Sequence, residues 1–258
     1  MQEEFARANK AAWETKAYQA WVLAYCSPHE LAEELKQKNK HHLRYWLKYI
    51  GNPSGKRILN LLGSNGRKAI SLALLGADVT VVDISEENRL YATHVAAEAG
   101  VEVDYICSDV LNIPNEEELG EFDIVFMEFG ILHYFTDLSP IFSLVLRRLA
   151  RKGRFILTDF HPIGRALSSG NYFDDGVKEG EVAFAKFLPE EERSETCKVL
   201  VRSWTIGDII TAIGATGLFI RTFEEIPNKI NAAIPEFYTL IADHLEIDLN
   251  QLNPLVQS

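Results

Sequence analysis

The hydrophobic period changes near residue 55, and that change divides the chain. Over residues 3–50 apolar positions recur at helical spacing, with Ala6, Trp13, Ala17, Ala20, Trp21 and Ala24 on one run. Ser27-Pro28 interrupts it. Ser27 is a good N-cap and Pro28 suits the first helical position ahead of HELAEELKQ. A further helix is predicted around HHLRYWLKYI, ending at Gly51-Asn52-Pro53. After Gly55, short apolar runs alternate with helical stretches. RILNLL (57–62), DVTVVDI (78–84), VDYICSD (103–109), DIVFME (123–128) and RFILTDF (154–160) read as strands, with helices at 66–75, 86–99 and 138–150 between them. Near-continuous apolar strands alternating with helices predict a parallel sheet covered on both faces.

Residues 161–204 break that rhythm. HPIGRALSSGNYFDDGVKEG is rich in Gly, Ser and Asp and reads as loop; EVAFAKF and CKVLVRSW are predicted to pair around the charged PEEERSE turn. Thr205 then caps a helix, IGDIITAIGATG, and two strands follow, LFIRTFEE and FYTLIADH. With no long helix between them, they predict an antiparallel hairpin at the sheet edge. The expected organisation is one domain: a helical cap (1–52), a core (53–160), an insertion (161–204) and a C-terminal helix with a strand hairpin (205–258).

Composition narrows the function classes. Hydrophobic residues at 47% and charged residues at 24% are ordinary globular values. A net charge of −11 argues against nucleic acid and anionic membrane as partners. The three cysteines (Cys26, Cys107, Cys197) lack any CxxC and read as free thiols in a reducing compartment. MQEEFARANK does not read as a signal peptide, and nothing approaches 18 consecutive apolar residues, so a cytoplasmic protein is expected. No histidine spacing suggests a metal site, and His41-His42 diverge on a helix. Oligomeric state is not legible.

Candidate chemistry lies at the carboxyl ends of the strands, where ligands of such sheets bind. The first strand ends in Gly63-Ser64-Asn65-Gly66 before a helix begins, an arrangement that holds nucleotides. The second ends at Asp83-Ile84, where the carboxylate can accept both hydroxyls of a ribose. The third ends in Ser108-Asp109-Val110, with a carboxylate suited to an adenine amino group. The fourth ends in Glu128-Phe129-Gly130, ahead of Ile131-Leu132-His133-Tyr134.

Taken in order, ILNLLGSNG, VVDIS, CSDV, FDIVFMEFGILHYF and GRFILTDF resemble the motifs of the class I S-adenosylmethionine-dependent methyltransferases. The resemblance runs from Lys56 to Phe160 and is greatest to the bacterial small-molecule branch. It implies a Rossmann-like, seven-stranded, mostly parallel sheet with helices on both faces, an antiparallel last strand and a helical N-terminal cap. It also implies methyl transfer from S-adenosylmethionine to a small-molecule acceptor, leaving S-adenosylhomocysteine. Cofactor contacts are expected from Leu62, Gly63, Ser64 and Asn65, from Asp83 and Ile84, from Ser108, Asp109 and Val110, and from Glu128 and Phe129. Tyr18 is the expected lid residue; His133 and His161 are the candidate catalytic groups. The first motif departs from the family: Asn60 stands at the acid, Leu62 and Ser64 at two glycines, and Gly63 between them offers a shifted flexible position. The rival readings are a cofactor-binding protein without catalysis, which that departure permits, and an NAD(P)-dependent oxidoreductase, which lacks GxGxxG.

Overall fold

The computed structural model describes residues 1–245. Four helices precede the sheet: α1 (Gln2–Trp13), α2 (Ala17–Tyr25), α3 (Pro28–His42) and α4 (Leu47–Ile50). Lys16, at a φ of 65°, breaks the first helical run into α1 and α2. The predicted cap at Ser27 forms a full capping box with Glu30, and Pro28 opens α3.

The alternating region follows the predicted order: β1 (Arg57–Leu61), α5 (Arg67–Ala73), β2 (Asp78–Asp83), α6 (Glu86–Ala99), β3 (Asp104–Cys107), β4 (Phe122–Glu128), α7 (Ser139–Arg148) and β5 (Leu149–Phe160). β5 starts earlier than its apolar pattern suggests. The chain leaves α7 directly into it, and a register shift against β4 absorbs residues 150–153.

Between β5 and the last helix the structure corrects the expected loop. His161 caps a two-turn helix, α8 (Pro162–Ser169), hidden in the sequence by its Gly and Ser content. The small hairpin pairs β6 (Lys178–Glu181) with β7 (Lys198–Val201), so its first strand overlaps the predicted EVAFAKF run only at Glu181. Val182, Phe184 and Ala185 of that run are buried in a tight turn instead. The charged turn holds one short helix, α9 (Glu190–Arg193). A capping box at Thr205 opens α10 (Ile206–Ala215), followed by β8 (Phe219–Pro227) and β9 (Pro235–Asp243). The part of the expected 205–258 unit beyond residue 245 lies outside the described residues.

The seven-stranded sheet has the order β3-β2-β1-β4-β5-β9-β8. Strands β1 to β5 are parallel; β9 inserts antiparallel between β5 and β8. Successive residues feed opposite faces, which explains the unbroken apolar runs. Leu59, Val125, Met127 and Leu157 meet α7 and α10 on one side. Ile58, Ile124, Phe126 and Ile156 meet Trp46, Ile50 and Leu72 on the other. Trp46 is tied to the sheet as well as packed on it, since its indole N–H donates to Thr158 Oγ1 at 2.8 Å.

A third core joins α1–α3, α6 and the β6–β7 hairpin. Asn9 fastens it in the manner of an extra strand: its amide donates to the Leu200 carbonyl at 3.1 Å and accepts from the Leu200 N–H at 2.7 Å. Gln2 likewise donates to the Tyr134 carbonyl and accepts from the Thr136 N–H. The N-terminal helix and the hairpin therefore form one roof over the carboxyl ends of the strands.

Candidate active site

Under that roof lies a cavity of ≈ 410 Å³. Its volume suits a small organic ligand. Leu62, Gly63, Ser64 and Asn65 line one side, with Asp83 and Ile84 beside them. Ser108, Asp109 and Val110 enter from the third strand, and Glu128 and Phe129 from the fourth. Four stretches distant in sequence thus meet on one space.

The loop after β1 holds a left-handed conformation without the usual glycines. Leu62 has a φ of 53° and Ser64 a φ of 49°, at the two positions where the resembling family carries glycine. Gly63 is not the shifted flexible residue that the sequence suggested. It is required for space: a Cβ there would sit 2.7 Å from Asn60 Oδ1 and 2.7 Å from Val81 Cγ1. Gly66 combines both demands, with a φ of 70° and Ala92 Cβ 2.7 Å from where its own Cβ would be. The strained loop is anchored from several directions. Leu62 N–H donates to the Val82 carbonyl at 2.7 Å, and Tyr105 donates its hydroxyl to the Ser64 carbonyl at 2.6 Å.

Asp83 holds the same loop. One carboxylate oxygen accepts from the Ser64 N–H at 3.0 Å; the other accepts from the Ser85 N–H and from Asn88 Nδ2, both at 3.0 Å. Asn88 in turn accepts from the Trp21 indole at 2.7 Å. Burial pushes the Asp83 carboxyl above its ordinary value, and these donors oppose that shift. Ser85, not Asp83, caps α6, and its hydroxyl also donates to the Trp13 carbonyl. Asp109 is similarly committed at its own turn, accepting from the Leu111 N–H and from Asn112 Nδ2.

Glu128 differs. It is deeply enclosed, its Oε2 has no partner, and burial raises its carboxyl while the charges of Lys68 and Arg67 oppose that rise. Lys68, itself pushed down by burial, lies 5.2 Å over the Trp46 ring. Both cations also line the cavity. The helix-start reading of Arg67-Lys68 gave no hint of this, because a polar first turn looks the same at any helix.

Asp159 was also silent in the sequence. It accepts from the N–H groups of Gly130 (2.5 Å), Leu132 (3.2 Å) and Ile131 (3.3 Å) and fixes the turn after β4. Phe129 in that turn is left-handed, at a φ of 50°.

Tyr18 is a correction. It does not line the cavity: its hydroxyl pairs with His94 Nδ1 at 2.8 Å and its ring stands edge-on to Tyr91. The break at Lys16 turns this side of α2 toward α6, and Trp13 and Trp21 line the cavity instead. His133 lines it too, enclosed by protein beside Arg165, and burial drives its imidazole down to about 3. His161 lies in an adjoining cavity of ≈ 450 Å³. Both of its nitrogens are engaged, Nδ1 by the Ile163 N–H and Nε2 by Glu225 at 3.0 Å. Neither histidine offers a free, strongly basic nitrogen. Among the described residues no cluster suited to a metal ion occurs, and no helix is long and apolar enough to cross a membrane.

Residues 60–157 match the family model described as a methyltransferase domain. The core is therefore similar to a methyltransferase domain. The chain is 28% identical over 144 residues to a ubiquinone biosynthesis O-methyltransferase of Bordetella parapertussis, a match covering 55% of this chain and 58% of that one. The chain thus spans just over half the length of that relative. A protein of the same name from Azotobacter vinelandii is 27% identical, covering 64% of this chain and 71% of its own. The fold is shared with an S-adenosylmethionine-dependent methyltransferase from Mesorhizobium loti (TM-score 0.56, 22% identity, 81% of this chain and 99% of that one). It is also shared with magnesium protoporphyrin IX methyltransferase from Synechocystis with bound S-adenosylhomocysteine (TM-score 0.60, 17% identity, 92% of this chain and 98% of that one).

The loop after β1 gives the first prediction. Gly63→Ala forces a methyl group against two buried side chains and is expected to cost about 1–3 kcal/mol. Ser64→Gly relieves about 1 kcal/mol of left-handed strain, offset by about 0.4–1 kcal/mol of added unfolded-state freedom, so its melting point should stay level or rise. A stable Gly63→Ala beside a clearly destabilised Ser64→Gly would reverse the assignment.

Asp83 gives the second. All three of its described partners are donors, and an amide presents only one acceptor oxygen. Asp83→Asn is therefore expected to lose stability nearly as Asp83→Ala does, on the order of 2–4 kcal/mol, from hydrogen bonds to a charged group worth about 1.5–3 kcal/mol each. Denaturant melts check this, and a fully stable Asp83→Asn protein would contradict it.

The third concerns acid. The ordinary histidine value is 6.5 and that of folded His133 is about 3. Between those values the unfolded chain binds the proton and the folded one does not. The contribution is present above 6.5 and is lost as pH falls toward 3, at about 1.4 kcal/mol per unit. From pH 7 to 5 the native protein should lose up to about 2 kcal/mol that His133→Phe keeps. Equal losses in both proteins would count against it.

Proposed function

We propose that this protein transfers the methyl group of S-adenosylmethionine to a small-molecule acceptor, leaving S-adenosylhomocysteine. The observation that carries the reading is the convergence of all four strand-end motifs on one roofed cavity. In this reading Asp83 binds the ribose, and Ser108, Asp109 and Val110 border the adenine. The residues fit an amino-acid end as well: the unpartnered Glu128 Oε2 awaits a donor, and Arg67 and Lys68 await a carboxylate. Gly63 and Gly66 let the loop pack closely on Asn60, Val81 and Ala92, which holds its backbone in place at the cavity wall.

Bound S-adenosylmethionine supplies an electrophilic methyl group on a sulfonium. The chain's own contribution is to bind, align and exclude water, which accounts for most of the acceleration available to such a transfer. The roof of α1 and the β6–β7 hairpin excludes water, and the faces of Trp13, Trp21 and Tyr134 suit a cation. His133 is neutral near pH 7 and too weakly basic to take a proton efficiently. An acceptor that is acidic or already ionised is therefore favoured. The name of the relatives favours oxygen as the attacking atom. The net charge of −11 favours a small acceptor over nucleic acid, and free cysteines favour a reducing, cytoplasmic setting. Residues 1–52 and 161–204 then serve the core, 53–160, as one domain with 205–258.

Calorimetric titration with S-adenosylhomocysteine and NAD, followed by incubation of methyl-labelled S-adenosylmethionine with a metabolite extract, tests this. Binding of S-adenosylhomocysteine alone and a labelled small product are expected. Binding without any product would leave a non-catalytic binder, and preference for NAD would overturn the reading.

A further inference from the structure

The adjoining cavity shares His133, Phe160 and Arg165 with the first, so a molecule in it abuts the methyl-donor space. Its other walls include the aromatic rings of Tyr172, Trp204 and Tyr238. Its charges are not equally satisfied. Asp159 is held by the backbone N–H groups of residues 130–132, and Arg202 by the Thr136 carbonyl at 2.6 Å and by Asp175, although its Nε is buried without a partner. Arg165, an exposed residue at the mouth of both cavities, makes one long bond among the described residues, to Ser203 Oγ at 3.4 Å, and has no carboxylate partner, so its guanidinium is open to a ligand. Beyond it, the Tyr238 hydroxyl is wholly buried without a partner, and Glu236 Oε2 is also unpartnered. A buried polar atom left unmatched costs about 1–3 kcal/mol, which points to a ligand that matches it.

We propose that this second cavity binds the methyl acceptor, and that the acceptor is a planar aromatic carboxylate whose carboxylate sits at Arg165 and is itself methylated. The proposal rests on the methyl-transfer reading of the first cavity. Aromatic walls suit a planar ring. A guanidinium at the junction holds one carboxylate oxygen and leaves the other toward the donor. Tyr238 and Glu236 serve a hydroxyl or amine at the far end of the ring. A carboxylate is ionised at neutral pH, which agrees with two histidines that offer no free strong base. The step balances without a proton: a carboxylate oxygen forms the bond to the methyl carbon, the carbon–sulfur bond breaks with its pair going to sulfur, and a neutral thioether and a methyl ester remain.

The test uses the full chain saturated with S-adenosylhomocysteine, titrated with benzoate, 4-hydroxybenzoate and indole-3-acetate, each beside its methyl ester. At least one acid should bind at least tenfold tighter than its ester. Arg165→Gln should weaken that acid at least tenfold and Tyr238→Phe should weaken 4-hydroxybenzoate several-fold, with S-adenosylhomocysteine affinity within threefold in both. With labelled S-adenosylmethionine, the product's label should be released as methanol by mild base, as an ester requires. Binding by none of the acids, equal binding of acid and ester, an unaffected Arg165→Gln, or a base-stable product would each overturn the proposal. Failure of S-adenosylhomocysteine to bind, with the acid preference intact, would defeat the methyl-transfer reading and leave the carboxylate site standing.

Discussion

The carboxylate of Asp83 is the point through which the roof and the floor of the cavity depend on each other. It accepts from the loop amide of Ser64, from the first turn of α6 at Ser85, and from Asn88, which holds the roof indole of Trp21. A hydrogen bond to a buried charge is worth more than one between neutral groups, and the loss of one leaves the others mismatched. The loop after β1, the start of α6 and the helix α2 are therefore not independent. A ligand that touches Asp83 touches all three.

That coupling explains how a loop with Leu62 and Ser64 at left-handed angles persists. Such angles cost non-glycine residues about 1–2 kcal/mol each, and they last only where the surroundings over-determine them. Here the Val82 carbonyl, the Tyr105 hydroxyl and Asp83 all fasten the loop, while Gly63 and Gly66 supply the room. The turn after β4 repeats the device, with Phe129 left-handed and the three N–H groups that follow it gathered by Asp159.

Much of this was legible before any coordinates. Runs such as RILNLL and DIVFME, alternating with helices, read as strands of a parallel sheet buried on both faces. The strand-end residues converge because a parallel sheet sends all its carboxyl ends to one side. The rest depended on contacts between distant segments. Nothing in Trp13-Tyr18-Trp21 says that a left-handed Lys16 turns Tyr18 to α6 and leaves the tryptophans over the cavity. Pro162–Ser169 is a helix although its Gly and Ser residues favour loops, because His161 caps it and β9 receives its base. The first strand of the small hairpin is the polar KEGE, chosen by pairing with Lys198–Val201 rather than by hydrophobicity. Asp159 reads as one more acid near the end of a strand until its amide partners are seen.

The central claim is that Asp83 transmits order from the roof to the cofactor loop. Hydrogen exchange of the Ser64 amide in Asn88→Ala tests it most directly, because Asn88 touches the carboxylate and not the loop. The account predicts exchange faster by about tenfold, the equivalent of about 1.4 kcal/mol, with the amides of β4 unchanged. An Ser64 amide as protected in the variant as in the native protein would contradict it.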